Sequence, residues 1–188
     1  MMVRAFIAIT PPATLQQTVT EVREVFQRSN LPWRWVTSDH IHLTLKFFGN
    51  VPAERVTAIA QAMEHASRGQ TAFPLRATSL GCFPHASRPR VLWIGLDDPS
   101  QALGPLYERL TSACVPLGFP AEDRPFHPHL TLARVQNIGR SNQLSPIFNR
   151  YQNRFFGEFL VTQIHLYQSR LQRGGSVYTI LRSVALQS

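Results

Sequence analysis

Residues 124–134, which read RPFHPHLTLAR, contain the tetrapeptide His129-Leu130-Thr131-Leu132. An identical tetrapeptide, His42-Leu43-Thr44-Leu45, lies 87 residues upstream, so each half of the 188-residue chain holds one copy. Both copies alternate polar and apolar residues, so in a β-strand the histidine and threonine share one face and the leucines the other. A repeated tetrapeptide is weak evidence by itself. Two imidazole–hydroxyl pairs above apolar floors, however, suit acid–base chemistry on a phosphodiester.

Length and composition indicate an ordinary globular chain. It has 44% hydrophobic residues, 10 glycines and 14 prolines, which predicts one bilobal domain over residues 1–188. The apolar run at residues 5–9 is far too short for a signal peptide or a membrane span. We therefore expect a cytoplasmic protein without membrane contact. Cys82 and Cys114 form neither a metal spacing nor a disulfide framework, which fits a reducing compartment.

The charge balance is strongly basic, with a formal net charge of +8 and a pI of about 10.7. The cations are 18 arginines and one lysine, Lys46. The planar fork of arginine suits phosphate recognition better than the ammonium group of lysine does, so a polyanionic partner is expected. A genomic bias toward arginine codons explains the same count equally well. The charges are scattered, which excludes a basic tail.

Hydrophobic periodicity predicts strands at residues 4–10, 40–48, 71–82, 90–96 and 126–134, and helices that begin at Pro11-Pro12, Pro52 and Pro99. The first helix is expected to reach about Arg28. Residues 137–153 are predicted to be a polar loop, and residues 155–171 and 176–184 a closing hairpin around Arg173-Gly174-Gly175. Each half thus runs strand, helix, connector and HLTL strand. We predict an α+β, bilobal duplicated fold, with two mostly antiparallel sheets lining a central cleft and helices on the outside.

The paired motifs predict a two-histidine mechanism. Histidine titrates near neutrality, so one imidazole can be a neutral base while the other is a protonated acid. Each threonine lies roughly 6.5 to 7 Å along the strand from its histidine, and its hydroxyl can donate to a non-bridging phosphate oxygen. These protein donors leave no requirement for a metal or another cofactor.

The wider motif context carries a family resemblance. Residues 40–49 (HIHLTLKFFG) and 124–134, with the segments RAFIAI at 4–9, RVLW at 90–93 and LYQS at 166–169, span nearly the whole chain. They resemble the 2H phosphoesterase superfamily, and within it the bacterial and archaeal RNA 2′,3′-cyclic phosphodiesterases, once called 2′-5′ RNA ligases.

This resemblance implies that an RNA-type 2′,3′-cyclic phosphate is opened to a 2′-phosphomonoester, with 2′-5′ ligation as the reverse reaction. We expect the enzyme to be a monomer. It implies that His42 is the proton donor to the leaving 3′ oxygen and His129 the base that activates water. It also implies that Arg134 contacts phosphate. In a regular strand, however, Arg134 faces away from His129, so a bulge or a strand end is needed to bring it into the site.

Alternatives remain open at the sequence level. His40 and His127 share the face of the motif histidines, and four imidazoles can bind a metal ion in a metallohydrolase. A non-enzymatic RNA-binding module with a basic cleft is a second rival. Lys46 continues the face of His42 and Thr44, which predicts either a phosphate contact or a solvated strand end. The aromatic residues Phe48, Trp35 and Phe126 can stack a base or pack in the core. Ser169 and Tyr178 are assigned a structural role only.

Overall fold

The computed structural model describes residues 1–27, 32–135, 144–172 and 175–188. Three of the sequence predictions extend beyond these residues. They are the end of the first helix at Arg28, the part of the polar loop before residue 144, and the hairpin residues Arg173 and Gly174. No helix within the described ranges is long and apolar enough to cross a bilayer.

Two antiparallel sheets form the framework of the chain. The four-stranded sheet has the order β3-β1-β8-β9, with β1 at Met2–Ile9, β3 at Leu43–Pro52, β8 at Gln163–Gln172 and β9 at Gly175–Ala185. The five-stranded sheet has the order β2-β6-β5-β4-β7, with β2 at Arg34–Trp35, β4 at Phe73–Phe83, β5 at Val91–Asp97, β6 at His129–Arg134 and β7 at Phe155–Val161. Each pairing between these strands is antiparallel. The α+β class and its antiparallel sheets are therefore confirmed.

Amphipathic helices pack against the sheets. They are α1 (Ala13–Gln27), α2 (Val56–Ala66), α3 (Leu103–Cys114) and α4 (Ser145–Tyr151). Leu15, Val19, Val22 and Phe26 recur at helical spacing in α1, and all four are buried. Helix α1 contacts β7, whereas α2 contacts α3 and β9, and α3 contacts β3. The helical stripes share one continuous core with the motif leucines. The imidazoles lie on the opposite sheet faces.

The two sheets do not correspond to the two halves of the sequence. Strands β2 and β4 from the first half join the five-stranded sheet, and β8 and β9 from the end of the chain join the four-stranded sheet. Each sheet nevertheless holds one HLTL copy, in β3 and in β6. A bilobal single domain stays a prediction.

Two element predictions were wrong. Helix α4 lies inside the predicted loop, where Phe148 and Tyr151 are buried although the segment is polar on average. The single strand predicted at residues 155–171 is two strands, because the chain leaves one sheet at Val161 and enters the other at Gln163. Only Thr162 separates them, so the sequence offers no turn signal.

Candidate active site

The two motif histidines lie at the beginning of their strands. His42 directly precedes β3, and His129 is the first residue of β6. Leu43, Leu45, Leu130 and Leu132 are at most 1% exposed, which turns the histidines and threonines to the other face by the two-residue period of a strand. Strands β3 and β6 contact each other although they belong to different sheets. The fold therefore brings both imidazoles to one cleft.

Both imidazoles are held in the same way. Nδ1 of His42 donates to the carbonyl oxygen of His40 at 2.7 Å, and Nδ1 of His129 donates to that of His127 at 2.6 Å. A carbonyl oxygen only accepts, so the proton on each ring stays at Nδ1. Within the described chain, Nε2 of each ring has no hydrogen-bond partner, which leaves it available for proton transfer.

The cleft lowers the pKa of both histidines. Burial is the main cause at His42, where the nearby charges of His40, Arg134 and His129 act in the same direction and the bond to the His40 carbonyl opposes them. Burial also lowers the pKa of His129, helped by the charges of His127 and Arg134. Because the charge of one imidazole is felt at the other, protonation of the pair is coupled.

Two cavities open from the histidine pair. The smaller, of about 430 Å³, is lined by His42, Thr44 and Thr131 together with Arg134. The larger, of about 760 Å³, is lined by His129 and again by Thr44. Thr44 therefore lies where the two cavities meet. All four histidine and threonine residues of the motifs are brought together, as the duplicated pattern predicts.

A β-bulge carries Arg134 onto the histidine face. Thr131 pairs with Trp93 and Ala133 pairs with Leu92, so Leu132 is an extra residue in β6. Leu132 and Ala133 are both fully buried, which shifts the side-chain alternation by one position. Arg134 then shares the cleft with Thr131 and lines the smaller cavity.

An equivalent bulge in β3 overturns the prediction for Lys46. Thr44 pairs with Ala8 and Lys46 pairs with Ile7, so Leu45 is the extra residue. Lys46 turns inward, is 3% exposed, and donates from Nζ to the carbonyl oxygen of Pro120 at 2.6 Å. It is neither a phosphate ligand in the cleft nor a solvated strand end. Phe47 takes the cleft position, 45% exposed, and lines both cavities.

The aromatic candidates divide between core and cleft. Phe48 is buried and packs edge-on against Phe119, with ring centroids 4.8 Å apart. Trp35 packs against the core and lines neither cavity. Phe126 lines the larger cavity and stacks on Tyr107, with centroids 3.9 Å apart. Only Phe126 among the three is thus placed to meet a ligand.

Several site residues were missed by sequence reasoning. Arg4 lines the smaller cavity, and its guanidinium lies 4.6 Å from the centre of the Phe47 ring. Ser169 and Tyr178 line the same cavity, and the Tyr178 ring lies 5.4 Å from that of His42. Burial raises the pKa of Tyr178, opposed by Arg134 and Arg4. The family segments that contain Arg4 and Ser169 were the available signal.

His40 and His127, which lie two residues before the motif histidines, act mainly through their backbone carbonyls. Their carbonyls hold the motif imidazoles, while the His40 ring packs on Tyr178 at 4.4 Å and the His127 ring on Trp93 at 4.8 Å. Within the described part of the chain, no three side chains of His, Cys, Asp or Glu converge as a metal site. The four imidazoles therefore do not form the metal-binding set considered from sequence.

Comparison with known proteins identifies the family. A family model described as the 2′-5′ RNA ligase superfamily matches residues 11–173. A relative from Escherichia coli, named RNA 2′,3′-cyclic phosphodiesterase, is 32% identical over 97% of this chain and 96% of its own. One of the same name from Methanothermobacter thermautotrophicus is 30% identical over 95% and 96%.

Solved structures agree over the whole length. A crystal structure of a Thermus thermophilus protein superposes with a TM-score of 0.81 at 27% identity, covering 98% of both chains. Escherichia coli LigT complexed with 3′-AMP superposes with a TM-score of 0.77 at 30% identity, covering 100% of both chains. Sequence motifs, antiparallel sheets and relatives agree, and the chain belongs to the 2′-5′ RNA ligase superfamily.

Proposed function

We propose that this protein hydrolyses the 2′,3′-cyclic phosphate of RNA ends or nucleotides to a 2′-phosphomonoester, with its two histidines as acid and base and without a metal ion. The single observation that carries the proposal is the matched tethering of His42 and His129 on two different sheets. Each ring donates from Nδ1 to the carbonyl two residues before it and lines one of the two adjoining cavities of the cleft. Family membership and the names of the relatives support the choice of substrate.

The histidines serve the two ends of an in-line displacement. His129 accepts a proton from water as the oxygen attacks phosphorus, and His42 donates a proton to the 3′ oxygen as its bond to phosphorus breaks. The 2′ oxygen keeps its bond, so the product is the 2′-phosphomonoester. Imidazoles on facing strands can flank a phosphate in this way, whereas neighbours on one strand cannot.

The remaining polar groups bind the charged phosphate oxygens. Thr44 and Thr131 donate their hydroxyls, and Arg134 donates from its guanidinium, since all three line the cleft. Charge-assisted donors fixed before the reaction stabilise the extra negative charge that develops in the transition state. These donors supply the stabilisation that other phosphodiesterases draw from a bound cation.

The same groups can catalyse a parallel opening of the cyclic phosphate, in which an RNA 5′-hydroxyl replaces water and a 2′-5′ linkage forms. His129 then deprotonates that hydroxyl instead of water. The proposal includes a monomeric, cytoplasmic enzyme that acts on RNA ends.

A hydrolysis assay on 2′,3′-cyclic AMP tests the proposal. With and without EDTA, phosphorus NMR should identify 2′-AMP as the product at equal rates. His42→Ala and His129→Ala should each lose about 10²–10⁴-fold in kcat/KM, because each removes one proton-transfer group. His65→Ala is the matched control, since His65 is exposed on α2 and outside both cavities.

Three outcomes would contradict the proposal. Unimpaired turnover in His129→Ala would remove the proposed base. RNA binding without any turnover would favour a non-enzymatic binding module. Activity abolished by EDTA and restored by zinc or manganese would favour a metallohydrolase.

A further inference from the structure

The larger cavity extends the cleft on the His129 side only. It measures about 760 Å³, is lined by His129 but not by His42, and adjoins the smaller cavity at Thr44 and Phe47. A reacting water occupies roughly 30 Å³, whereas drug-sized and nucleoside-sized ligands occupy cavities of about 300–1,000 Å³. The space beside the proposed base thus exceeds what hydrolysis requires.

The walls of the larger cavity combine free cations with aromatic rings. Arg88, Arg90 and Arg124 are exposed on it, and among the described residues none of them pairs with a carboxylate. Three arginines outside the cleft do pair with carboxylates, in Arg76–Glu158, Arg154–Glu21 and Arg182–Glu64. The wall also contains one carboxylate, Glu122, which leaves a net charge of +2 without the histidines.

The aromatic part of the wall suits stacking on a nucleobase. Phe47, Phe83 and Phe126 line the cavity, and Phe83 lies edge-on to His129 with ring centroids 5.1 Å apart. Aromatic faces beside a basic wall are the combination that binds single-stranded nucleic acid. Neither a water-binding pocket nor a simple phosphate site requires these rings.

In-line displacement assigns this cavity to one partner of the reaction. The nucleophile and the leaving 3′ oxygen lie on opposite sides of phosphorus, so the group attached to the nucleophile lies beside His129. We propose that the larger cavity is the subsite for a second RNA segment, the one that bears the 5′-hydroxyl. Its base would stack on the aromatic wall, and its next phosphate would meet Arg88 and Arg124. This inference rests on the proposed function and its assignment of His129 as the base.

The step balances without a further reactant. In ligation the 5′-hydroxyl attacks phosphorus, its proton passes to His129, the bond from phosphorus to the 3′ oxygen breaks, and His42 protonates that oxygen. In cleavage the 3′-hydroxyl gives its proton to His42 and attacks phosphorus. The bond to the 5′ oxygen then breaks, and His129 protonates the leaving segment. Both directions use the same subsite, so cleavage can report on it.

The test compares two substrates in the full-length protein. The first is an adenosine trinucleotide with one 2′-5′ linkage followed by one 3′-5′ linkage, from which cleavage releases the dinucleoside phosphate ApA. The second is 2′,3′-cyclic AMP, which leaves the second subsite empty. Replacing Arg88→Ala together with Arg124→Ala should lower kcat/KM for ApA release about tenfold, the value of one charged hydrogen bond. Hydrolysis of 2′,3′-cyclic AMP should change less than about twofold by the same reasoning.

Arg68→Ala together with Arg170→Ala is the matched control, because both side chains are exposed and lie outside both cavities, and the double replacement removes the same two charges. It should leave both reactions unchanged. A selective loss of ApA release supports the second subsite.

Equal losses on both substrates would place the reacting nucleoside itself in this cavity and overturn the inference. No loss on either substrate would also overturn it. A wild-type protein that hydrolyses 2′,3′-cyclic AMP but never releases ApA would refute the subsite and leave the proposed function standing. A wild-type protein inactive on 2′,3′-cyclic AMP would refute the proposed function, and the subsite with it.

Discussion

Trp93 supports the His129 side of the site, and its position depends on Gly81. The Trp93 indole ring lies across β4, where a Cβ atom at position 81 would be 2.1 Å from Cη2 and 2.2 Å from Cζ2. The same ring lies 4.8 Å from the ring of His127 and 6.2 Å from that of His129. Gly81→Ala should therefore disturb catalysis from a residue that lines neither cavity.

The magnitude follows from the geometry. Ordinary contact begins near 3.4 Å, so the indole must retreat by about 1.3 Å, the difference between 3.4 and 2.1 Å. Inserting a methyl group into a filled site typically costs about 1–3 kcal/mol. Alanine restricts the unfolded chain and returns about 0.4–1 kcal/mol. We expect a net loss of about 1–2 kcal/mol in the free energy of unfolding. Because the carbonyl of His127 holds His129, kcat/KM should fall about tenfold to a hundredfold.

Denaturant unfolding and hydrolysis of 2′,3′-cyclic AMP measure the two effects. Gly104→Ala is the control, since a Cβ at position 104, inside α3, meets no atom within 4 Å. That variant should keep full activity and gain up to about 1 kcal/mol. If Gly81→Ala matched wild type in both measurements, Trp93 would not be fixed in place. If stability fell but activity stayed, Trp93 would not support His129 in the proposed reaction.

Three further predictions concern charge in the cleft. The pH profile of kcat/KM should be bell-shaped with its maximum below pH 6.5. The ordinary pKa of histidine is 6.5, and burial lowers the pKa of both His42 and His129 from it. A maximum above pH 7.5 would contradict this prediction. Arg134→Gln should weaken activity and move both limbs of the pH profile to higher pH, because the guanidinium charge lowers the pKa of His42 and of His129. If the limbs did not move, Arg134 would lie outside the site. Lys46→Met should leave kcat/KM within about threefold of wild type, because an inward ammonium makes no substrate contact and a lost charged contact costs more. A tenfold rise in KM would instead restore Lys46 as a phosphate ligand.

The elements with strong periodicity could be predicted from sequence, and the elements that depend on tertiary context could not. Helix α1 follows from the spacing of its buried apolar residues, and the motif strands follow from strict alternation. Helix α4 could not be predicted, because two buried aromatic residues in a polar segment do not make a periodic signal. The passage of the chain from one sheet to the other at Thr162 has no local signal either, because the pattern of residues 155–171 fits one long strand as well as two.

The same holds for the candidate site: features that follow from residue alternation could be predicted from sequence, and features that depend on tertiary context could not. Duplication and alternation were enough to predict that one cleft contains His42, Thr44, His129 and Thr131. The backbone carbonyls that hold the imidazoles were not foreseen, because a hydrogen bond from Nδ1 to the residue two positions earlier depends on how the chain enters the strand. The prediction for Lys46 was wrong for a related reason. Parity arguments assume a regular strand, and the bulge at Leu45 inverts the positions that follow it up to the next register shift at Phe48.

The two bulges give a duplicated frame the asymmetry that the proposed reaction requires. Each falls three residues after its histidine, at Leu45 and at Leu132, so each brings the fifth residue into the cleft. That residue is Phe47 in one copy and Arg134 in the other. A regular strand would have presented Lys46 and Ala133 to the cleft instead. Equivalent imidazoles are thus given unlike neighbours, an aromatic ring shared by both cavities and a cation that lowers both imidazole pKa values. The proposed acid and base need different surroundings, and the second position after each bulge is where the two copies differ.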